Sequence, residues 1–241
     1  MENMLREFDD KPAVPLWLIA AAALAMMVHL YLIFVWVPTE AAQGIVQRLF
    51  YFHVPAAVAQ FTAAFVGGIA AILYLVKKDN RYDDLSLAAN ETVVVFGLVN
   101  IGMGMMWARP VWGIWWTWDA RLTSAFLLLF LYAAYLVIRP AAPVEHRAVI
   151  CAVVCILGMA DVPLVYLSNR LFRTQHPSPV IGGGPDSGMA PEIATTLFFG
   201  MFTMLLLWWC IVSVRRRVAR LERASADLTR RAHELEDLRR Y

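Results

Sequence analysis

Residues 16–37, LWLIAAAALAMMVHLYLIFVWV, form an apolar stretch of the chain that contains no acidic residue, lysine or arginine. A helix needs about 20 mostly apolar residues to cross the roughly 30 Å of hydrocarbon in a bilayer. The stretch is longer than the core of a signal peptide, which has roughly 7 to 15 residues, and the acidic residues Glu7, Asp9 and Asp10 precede it. We therefore predict a membrane helix here rather than a cleaved leader.

Five further segments of the chain have the same apolar character. They are residues 54–76, 85–106, 124–138, 148–167 and 193–212. Hydrophobic residues make up 60% of the 241-residue chain and charged residues 17%, whereas soluble domains contain about half and about a quarter. The sequence therefore predicts an all-α, polytopic membrane protein whose six transmembrane helices form one domain over residues 1–212. The fourth segment is short, so we expect it to begin inside the stretch before it.

The distribution of lysine and arginine predicts the orientation, because positively charged loops stay in the cytoplasm. With both termini inside, 16 of the 21 basic residues fall on the inner side and five on the outer side. Nine of the 16 are arginines after Val212, and without them seven remain against five. We expect both termini to be cytoplasmic and residues 213–241 to form a basic cytoplasmic tail. The stretches 38–53, 107–123 and 168–192 then face outward.

Several functions are disfavoured by what the chain lacks. A net charge of +2 gives no reason to expect a nucleic-acid partner. The three cysteines lie in apolar runs and outside any Cys-x-x-Cys-His motif, so no disulfide framework is indicated; they are Cys151, Cys155 and Cys210. The glycines at 182–184 lack the ending of a phosphate-binding loop and are interpreted as a hinge. An ATP-driven step would therefore need a partner subunit.

The second outer stretch holds a concentration of tryptophan. It reads WARPVWGIWWTWDARLTS over residues 107–124 and contains five of the nine tryptophans. Interface anchoring explains one or two tryptophans at a helix end, but not five within 12 residues. We interpret residues 107–123 as an outer-face platform for a large, flat, apolar ligand that stacks on indole rings.

Two of the five histidines lie in outer stretches, and they flank this platform in sequence. His53 precedes Val54-Pro55, and because proline favours the first turn of a helix, we expect His53 at the outer mouth of the second span. His176 is followed by Pro177, which stiffens its setting. One such histidine is more often an interfacial hydrogen-bonding residue. Two of them beside an indole platform favour a ligand that contains a metal.

Two neutral imidazoles can occupy both axial positions of a haem iron while tryptophans cover the porphyrin. Zinc is the weaker alternative, because the outer stretches contain no cysteine and no His-x-x-x-His pair. Arg109 and Arg121 could pair with haem propionates, and they could equally bind lipid phosphates or Asp119. Asp119 could also cap the start of the fourth span.

Three sequence elements resemble the CcmC family of haem-handling proteins of cytochrome c maturation system I. They are YFHVPAA at residues 51–57, WGIWWTWDARLTS at residues 112–124 and RTQHP at residues 173–177. The tryptophan signature is shared by the wider WWD superfamily. Six spans with one outer histidine on each side of the signature point to CcmC within it. The resemblance covers the chain from about residue 16 to residue 212.

The resemblance implies a multi-pass protein of the bacterial inner membrane that works beside an ABC-type ATPase, a membrane partner and a small single-span subunit. It implies that haem b is bound non-covalently on the periplasmic side, with His53 and His176 as axial ligands of the iron. It also implies transfer of haem to the chaperone CcmE rather than chemical catalysis. The haem platform and chaperone surface would comprise Trp112, Trp115, Trp116, Trp118, Asp119 and Arg121.

A b-type haem electron-transfer subunit of a respiratory complex is the alternative function. Such a subunit needs pairs of ligands that face each other inside the bundle, and here only His29 is intramembrane. Asp161, in the fifth span, is a functional candidate by default, although wetting or a bond to a neighbouring helix would explain it as well.

The tail carries a heptad pattern of leucines at Leu221, Leu228 and Leu235. We expect an amphipathic helix there that contacts the ATPase or the lipid surface, with a plain solvated helix as the alternative.

Overall fold

The computed structural model describes residues 12–176 and 188–238; 84% of these residues are helical and no strand occurs among them. The helices are α1 (Leu16–Tyr31), α2 (Phe50–Lys77), α3 (Asn80–Trp112), α4 (Ala120–Ala141), α5 (Arg147–Leu171) and α6 (Pro191–Leu238). Helix α1 continues through a π-helical turn, Leu32–Trp36, and a 3-10 turn, Ile45–Leu49, leads into α2. All six are long and apolar enough to cross a membrane. The predicted all-α class and the six spans are confirmed.

Caps decide where the helices around the tryptophan-rich stretch begin and end. Gly113 ends α3 in the left-handed region at φ 78°, which glycine adopts without steric cost. The Asp119 carboxylate accepts the backbone N–H groups of Arg121 and Leu122 at 2.9 and 3.0 Å and so caps α4, as the sequence suggested. Helix α4 therefore begins within the tryptophan-rich stretch. The first part of that stretch, up to Trp112, is the last turn and a half of α3.

Helices α2 and α3 form the centre of the bundle. Half of the residues in their most apolar segments are buried, against 22% in α1 and α4. Ala56, Ala59 and Ala63 of α2 and Ala88 and Ala89 of α3 are completely buried. Because lipid supplies no hydrophobic driving force between helices, their association depends on this close backbone approach of small residues.

Ion pairs attach the extended last helix to the start of α3. Helix α6 has 48 residues and is about 70 Å long, so its C-terminal part reaches beyond the hydrocarbon. Its Arg223 Nη2 donates to Asp83 and Asp84 at 2.7 and 2.6 Å, and Arg215 pairs with Glu91 at 2.5 Å. The tail up to residue 238 is therefore one continuous helix with the sixth span.

The heptad leucines of the tail, Leu221, Leu228 and Leu235, are 40 to 61% exposed on this helix. The predicted hinge at residues 182–184, like Pro177, lies outside the described residues.

Candidate functional site

A cavity of about 220 Å³ lies where the ends of α3 and α5 meet the starts of α2 and α4. His53 and His176, which are far apart in sequence, both line it. Trp112, Trp115, Trp116 and Arg121 line it as well; Trp115 and Trp116 come from the segment between α3 and α4, Trp112 from the end of α3 and Arg121 from the start of α4. The cavity therefore gathers six of the eight residues that the sequence singled out.

The two histidine rings face the same space. Their centroids are 6.4 Å apart and their planes are inclined by 34°. The Nδ1 atom of His53 lies 2.8 Å from the backbone carbonyl oxygen of Asn100. A carbonyl only accepts hydrogen bonds, so Nδ1 carries the proton and Nε2 is left unprotonated as a metal-ligating atom.

Trp112, Trp115 and Trp116 line the cavity, whereas Trp118 lies beside it. Trp112 lies edge-on to His176 with centroids 6.3 Å apart, and the buried Nε1 of Trp116 has no hydrogen-bond partner among the described residues. Trp118 does not line the cavity; it is 72% exposed and packs edge-on against Trp116 and Phe126. The Trp118 side chain is therefore available for contact with a partner at the surface and not with a ligand inside the cavity.

Asp119 also lies outside the cavity lining, and its contacts are structural. Besides capping α4, its Oδ2 accepts the Thr117 hydroxyl at 2.9 Å and lies 3.4 Å from the backbone nitrogen of Gln175. Gln175 immediately precedes His176. The carboxylate thus joins the tryptophan segment to the segment that carries the second histidine.

The two outer arginines have different surroundings. Arg121 lines the cavity, and its buried Nη1 has no hydrogen-bond partner among the described residues. Arg109 instead donates to the carbonyl oxygen of Gly113, at the end of its own helix, and does not line the cavity. A buried guanidinium nitrogen without a partner calls for an acceptor, and a carboxylate matches its geometry. Arg121 is therefore the arginine suited to an anionic ligand group.

Trp107 and Gln43 also line the cavity; Trp107 belongs to the predicted tryptophan platform, whereas Gln43 was not predicted. Trp107 Nε1 donates to Gln43 Oε1 at 2.8 Å, and its ring lies edge-on to His53 with centroids 6.0 Å apart. Gln43 is held by a turn in which its N–H donates to Glu40 at 2.5 Å, and this bond lowers the pKa of the Glu40 carboxyl. The loop between α1 and α2 therefore holds the Trp107 ring, which lies beside His53, through this hydrogen bond. No local sequence signal links residue 43 to residue 107.

Two buried intramembrane groups lie apart from this cavity. Both ring nitrogens of the fully buried His29 are without a partner among the described residues, and Phe52 and Phe199 are its ring neighbours. Asp161 is buried with an unpartnered Oδ2 and is not among the lining residues. Neither group contacts the histidine pair.

The fold and this cavity define a class: a six-helix membrane protein with a cavity at one end of the bundle that is lined by two neighbouring histidines and by tryptophans. Residues 7–231 match the family described as Heme exporter protein C, and the chain belongs to that family. Relatives include Heme exporter protein C of Escherichia coli (strain K12), 30% identical over 83% of both chains.

Two other relatives extend the range of organisms. Heme exporter protein C of Paracoccus denitrificans is 26% identical over 95% of both chains. A cytochrome c biosynthesis ccmC-like mitochondrial protein of Marchantia polymorpha is 28% identical over 83% of both. The resemblance drawn from the sequence is confirmed, and with it a role in haem handling for cytochrome c maturation.

Proposed function

We propose that the chain binds haem b non-covalently in this cavity, with His53 and His176 as the axial ligands of the iron. The separation of the two rings is the observation that carries the proposal. A histidine nitrogen bonds a metal at about 2.0–2.1 Å and lies about 1.1 Å from its ring centre, so two rings on opposite sides of one iron have centroids about 6.3 Å apart. The observed separation of 6.4 Å is close to this distance.

The rest of the cavity suits the porphyrin. Indole rings of Trp112, Trp115 and Trp116 supply apolar faces, and Arg121 supplies a donor for a propionate. None of the described cavity residues is a cysteine, so the lining contains no thiol for a covalent attachment. These contacts support non-covalent retention of an amphipathic, planar, dianionic ligand.

The size of the cavity favours presentation of haem rather than its full enclosure. At about 220 Å³ it is smaller than the roughly 300–1,000 Å³ of pockets that enclose a whole drug-sized ligand. Part of the porphyrin must therefore lie against the exposed indoles, and Trp115 is 55% exposed. We propose that the part of the porphyrin outside the cavity is presented to the haem chaperone CcmE. The exposed side chain of Trp118 would contribute to the contact with the chaperone.

In this proposal the chain does not convert haem chemically. Its histidines hold the iron, its indoles exclude water from the porphyrin face, and Arg121 orients the propionate end. Bound iron supplies the coordination bonds that retain the ligand until transfer. Family membership supports an ABC-type haem export complex, and we propose that the ATPase, a membrane partner and a small single-span subunit accompany the chain there.

From the family we propose a location in the bacterial inner membrane, and the positive-inside distribution supports placing the cavity on the periplasmic side. His53 and the tryptophan segment lie at the end of the bundle opposite to Arg139, Arg215 and Arg223, which the orientation assigns to the cytoplasmic side. We propose that residues 1–212 form the haem-handling domain. The arginine-rich residues 213–241 would be its cytoplasmic extension.

Absorption spectra and haem content of the purified full chain test the ligand assignment. His53→Ala, His176→Ala and the double variant should lose the six-coordinate spectrum and most of the haem, because each removes one axial bond. His146→Ala is the matched control, since this exposed histidine lies before α5, at the other end of that helix from His176. An unchanged spectrum and haem content in the double variant would overturn the proposal. A reversible haem redox couple that turns over with quinone would favour the electron-transfer alternative.

A further inference from the structure

Along the interface of α2 and α3, a polar side chain of one helix lies against a glycine of the other at three successive levels. The pairs are His53 with Gly104, Gln60 with Gly97, and Asn90 with Gly67. Successive levels are seven residues apart on both helices, which is close to two helical turns. The antiparallel helices therefore meet in one register along their whole common length, and His53 occupies the outermost level.

The glycines are required by contact distances. A Cβ atom added at Gly104 would lie 2.9 Å from Cε1 of His53, and one added at Gly97 would lie 2.7 Å from Nε2 of Gln60. A Cβ atom does not approach a non-bonded carbon or nitrogen atom this closely, so any larger residue would displace the ring or the amide. The backbone of α3 at Gly104 therefore packs directly against the His53 ring.

A hydrogen bond between two buried side-chain amides holds the two helices together at the level next to His53. Asn100 Nδ2 donates to Gln60 Oε1 at 3.0 Å, and the two residues are 7% and 1% exposed. Such a bond inside a membrane bundle has no competing water, and sliding of one helix would leave both amides unsatisfied. The pair therefore holds α2 and α3 in the one register that places His53 beside Asn100.

The backbone of Asn100 then acts on the ring itself. Its carbonyl oxygen lies 2.8 Å from Nδ1 of His53, so the ring, which lines the cavity, is held in the Nδ1–H tautomer and its Nε2 is left unprotonated. Metal-bound histidines are commonly held in this way through their second nitrogen, and loss of the support lowers metal affinity about 10- to 100-fold.

We propose that Gln60, Asn100 and Gly104 are positioning residues that set the tautomer and direction of His53 before any ligand arrives. This inference deepens the proposed function and rests on it for the identity of the ligand. The tautomer of His53 in the ligand-free protein can be tested without knowing which ligand binds.

Nitrogen-15 NMR of histidine-labelled full chain in nanodiscs, without haem, reports the tautomer directly. The His53 signals are assigned by their loss in His53→Gln. In the wild type we expect a protonated Nδ1 and an unprotonated Nε2. Asn100→Leu and Gly104→Ala should both introduce the Nε2–H form. Asn100→Leu removes the hydrogen bond that holds the helix register, and Gly104→Ala places a methyl group against the His53 ring. A wild-type His53 in the Nε2–H tautomer overturns the inference, whether or not the variants fold.

Asn90→Leu is the matched control for lost packing. Asn90 is also a buried asparagine of α3 facing a glycine of α2, and it bonds Ser86 and Cys155, but it lies two levels away from His53. It should leave the His53 signals unchanged. Equal changes in Asn90→Leu and Asn100→Leu would show a general loosening of the bundle and overturn a specific positioning role.

The rate of haem dissociation separates this inference from the proposed function. We expect haem to leave Asn100→Leu and Gly104→Ala about 10-fold faster or more, and Asn90→Leu at the wild-type rate. If His53→Gln retains haem like the wild type, the ligand assignment has failed, while the tautomer result still decides the arrangement of the ring. If haem depends on His53 but not on Asn100 or Gly104, the positioning role has failed and the ligand assignment stands.

Discussion

Replacement of Arg139 by methionine should destabilise the fold far more than replacement of a neighbouring exposed arginine. Arg139, in the last turn of α4, donates two parallel hydrogen bonds to the Asp83 carboxylate at 3.0 and 2.7 Å. The side chains are 14% and 5% exposed. Methionine keeps the apolar stem and removes only the charge and the donors, so Asp83 loses its bidentate partner.

The expected magnitude follows from burial. Removal of one partner of a buried ion pair costs about 3–5 kcal/mol, because the remaining charge stays desolvated. Arg223 still donates to the same carboxylate from 2.7 Å, so we expect a smaller cost, about 2–3 kcal/mol, for Arg139→Met. Arg81→Met is the control: its bidentate pair with Asp79 involves an arginine that is 74% exposed, and its loss should cost at most about 1 kcal/mol.

The measurement is reversible unfolding of the full chain in mixed micelles, followed by circular dichroism against the denaturing detergent fraction. An Asp83→Asn, Arg139→Met double variant should be more stable than Arg139→Met alone, since no unpaired carboxylate remains at this site. Equal losses for Arg139→Met and Arg81→Met would refute the reasoning from burial. So would a double variant that loses the sum of both single effects.

Three further changes act at the outer face. Asp119→Ala should lower the free energy of unfolding by about 1–2 kcal/mol in the same assay, because α4 loses its cap, whereas Asp119→Asn should retain most of it. Arg121→Gln should weaken haem binding about 10-fold in a spectroscopic titration but leave binding of haem dimethyl ester unchanged, and equal losses would contradict a propionate contact. Trp118→Ala should retain haem, since Trp118 lies outside the cavity, yet deliver it to CcmE more slowly than Trp118→Phe does; a loss of haem content would contradict this division of the tryptophans.

Much of the fold was predictable because membrane insertion depends on local chemistry. The apolar stretch at residues 16–37 and its five counterparts each satisfy the length requirement of a bilayer on their own. The start of α4 ahead of its apolar run followed from the shortness of that run, and the cap at Asp119 from a carboxylate just ahead of a helix. The continuation of α3 to Trp112 was missed, because the helix ends only where Gly113 adopts a left-handed conformation.

The site was predictable in its residue types and not in its arrangement. His53 and His176 stood out through their positions beside the tryptophan stretch, but no spacing rule relates residues on α2 to residues after α5. The brace formed by Gln43 and Trp107, and the amide pair of Gln60 and Asn100, had no sequence signal at all. Each of these contacts depends on how close two helices or loops approach, and that distance is set by small residues elsewhere in the interface.

The sequence by itself determined the class of the protein and the chemistry available to it: six spans, a connecting stretch rich in indole, and two histidines beside a signature of haem handling. Only the tertiary structure decided that the two rings stand 6.4 Å apart and that Arg121 enters the cavity while Arg109 does not. It also decided that Trp118 and Asp119 lie outside. The physical reason is that transfer into the membrane is a property of each segment alone. The directions of side chains instead depend on the register between helices, here set by glycines facing His53 and Gln60 across α2 and α3.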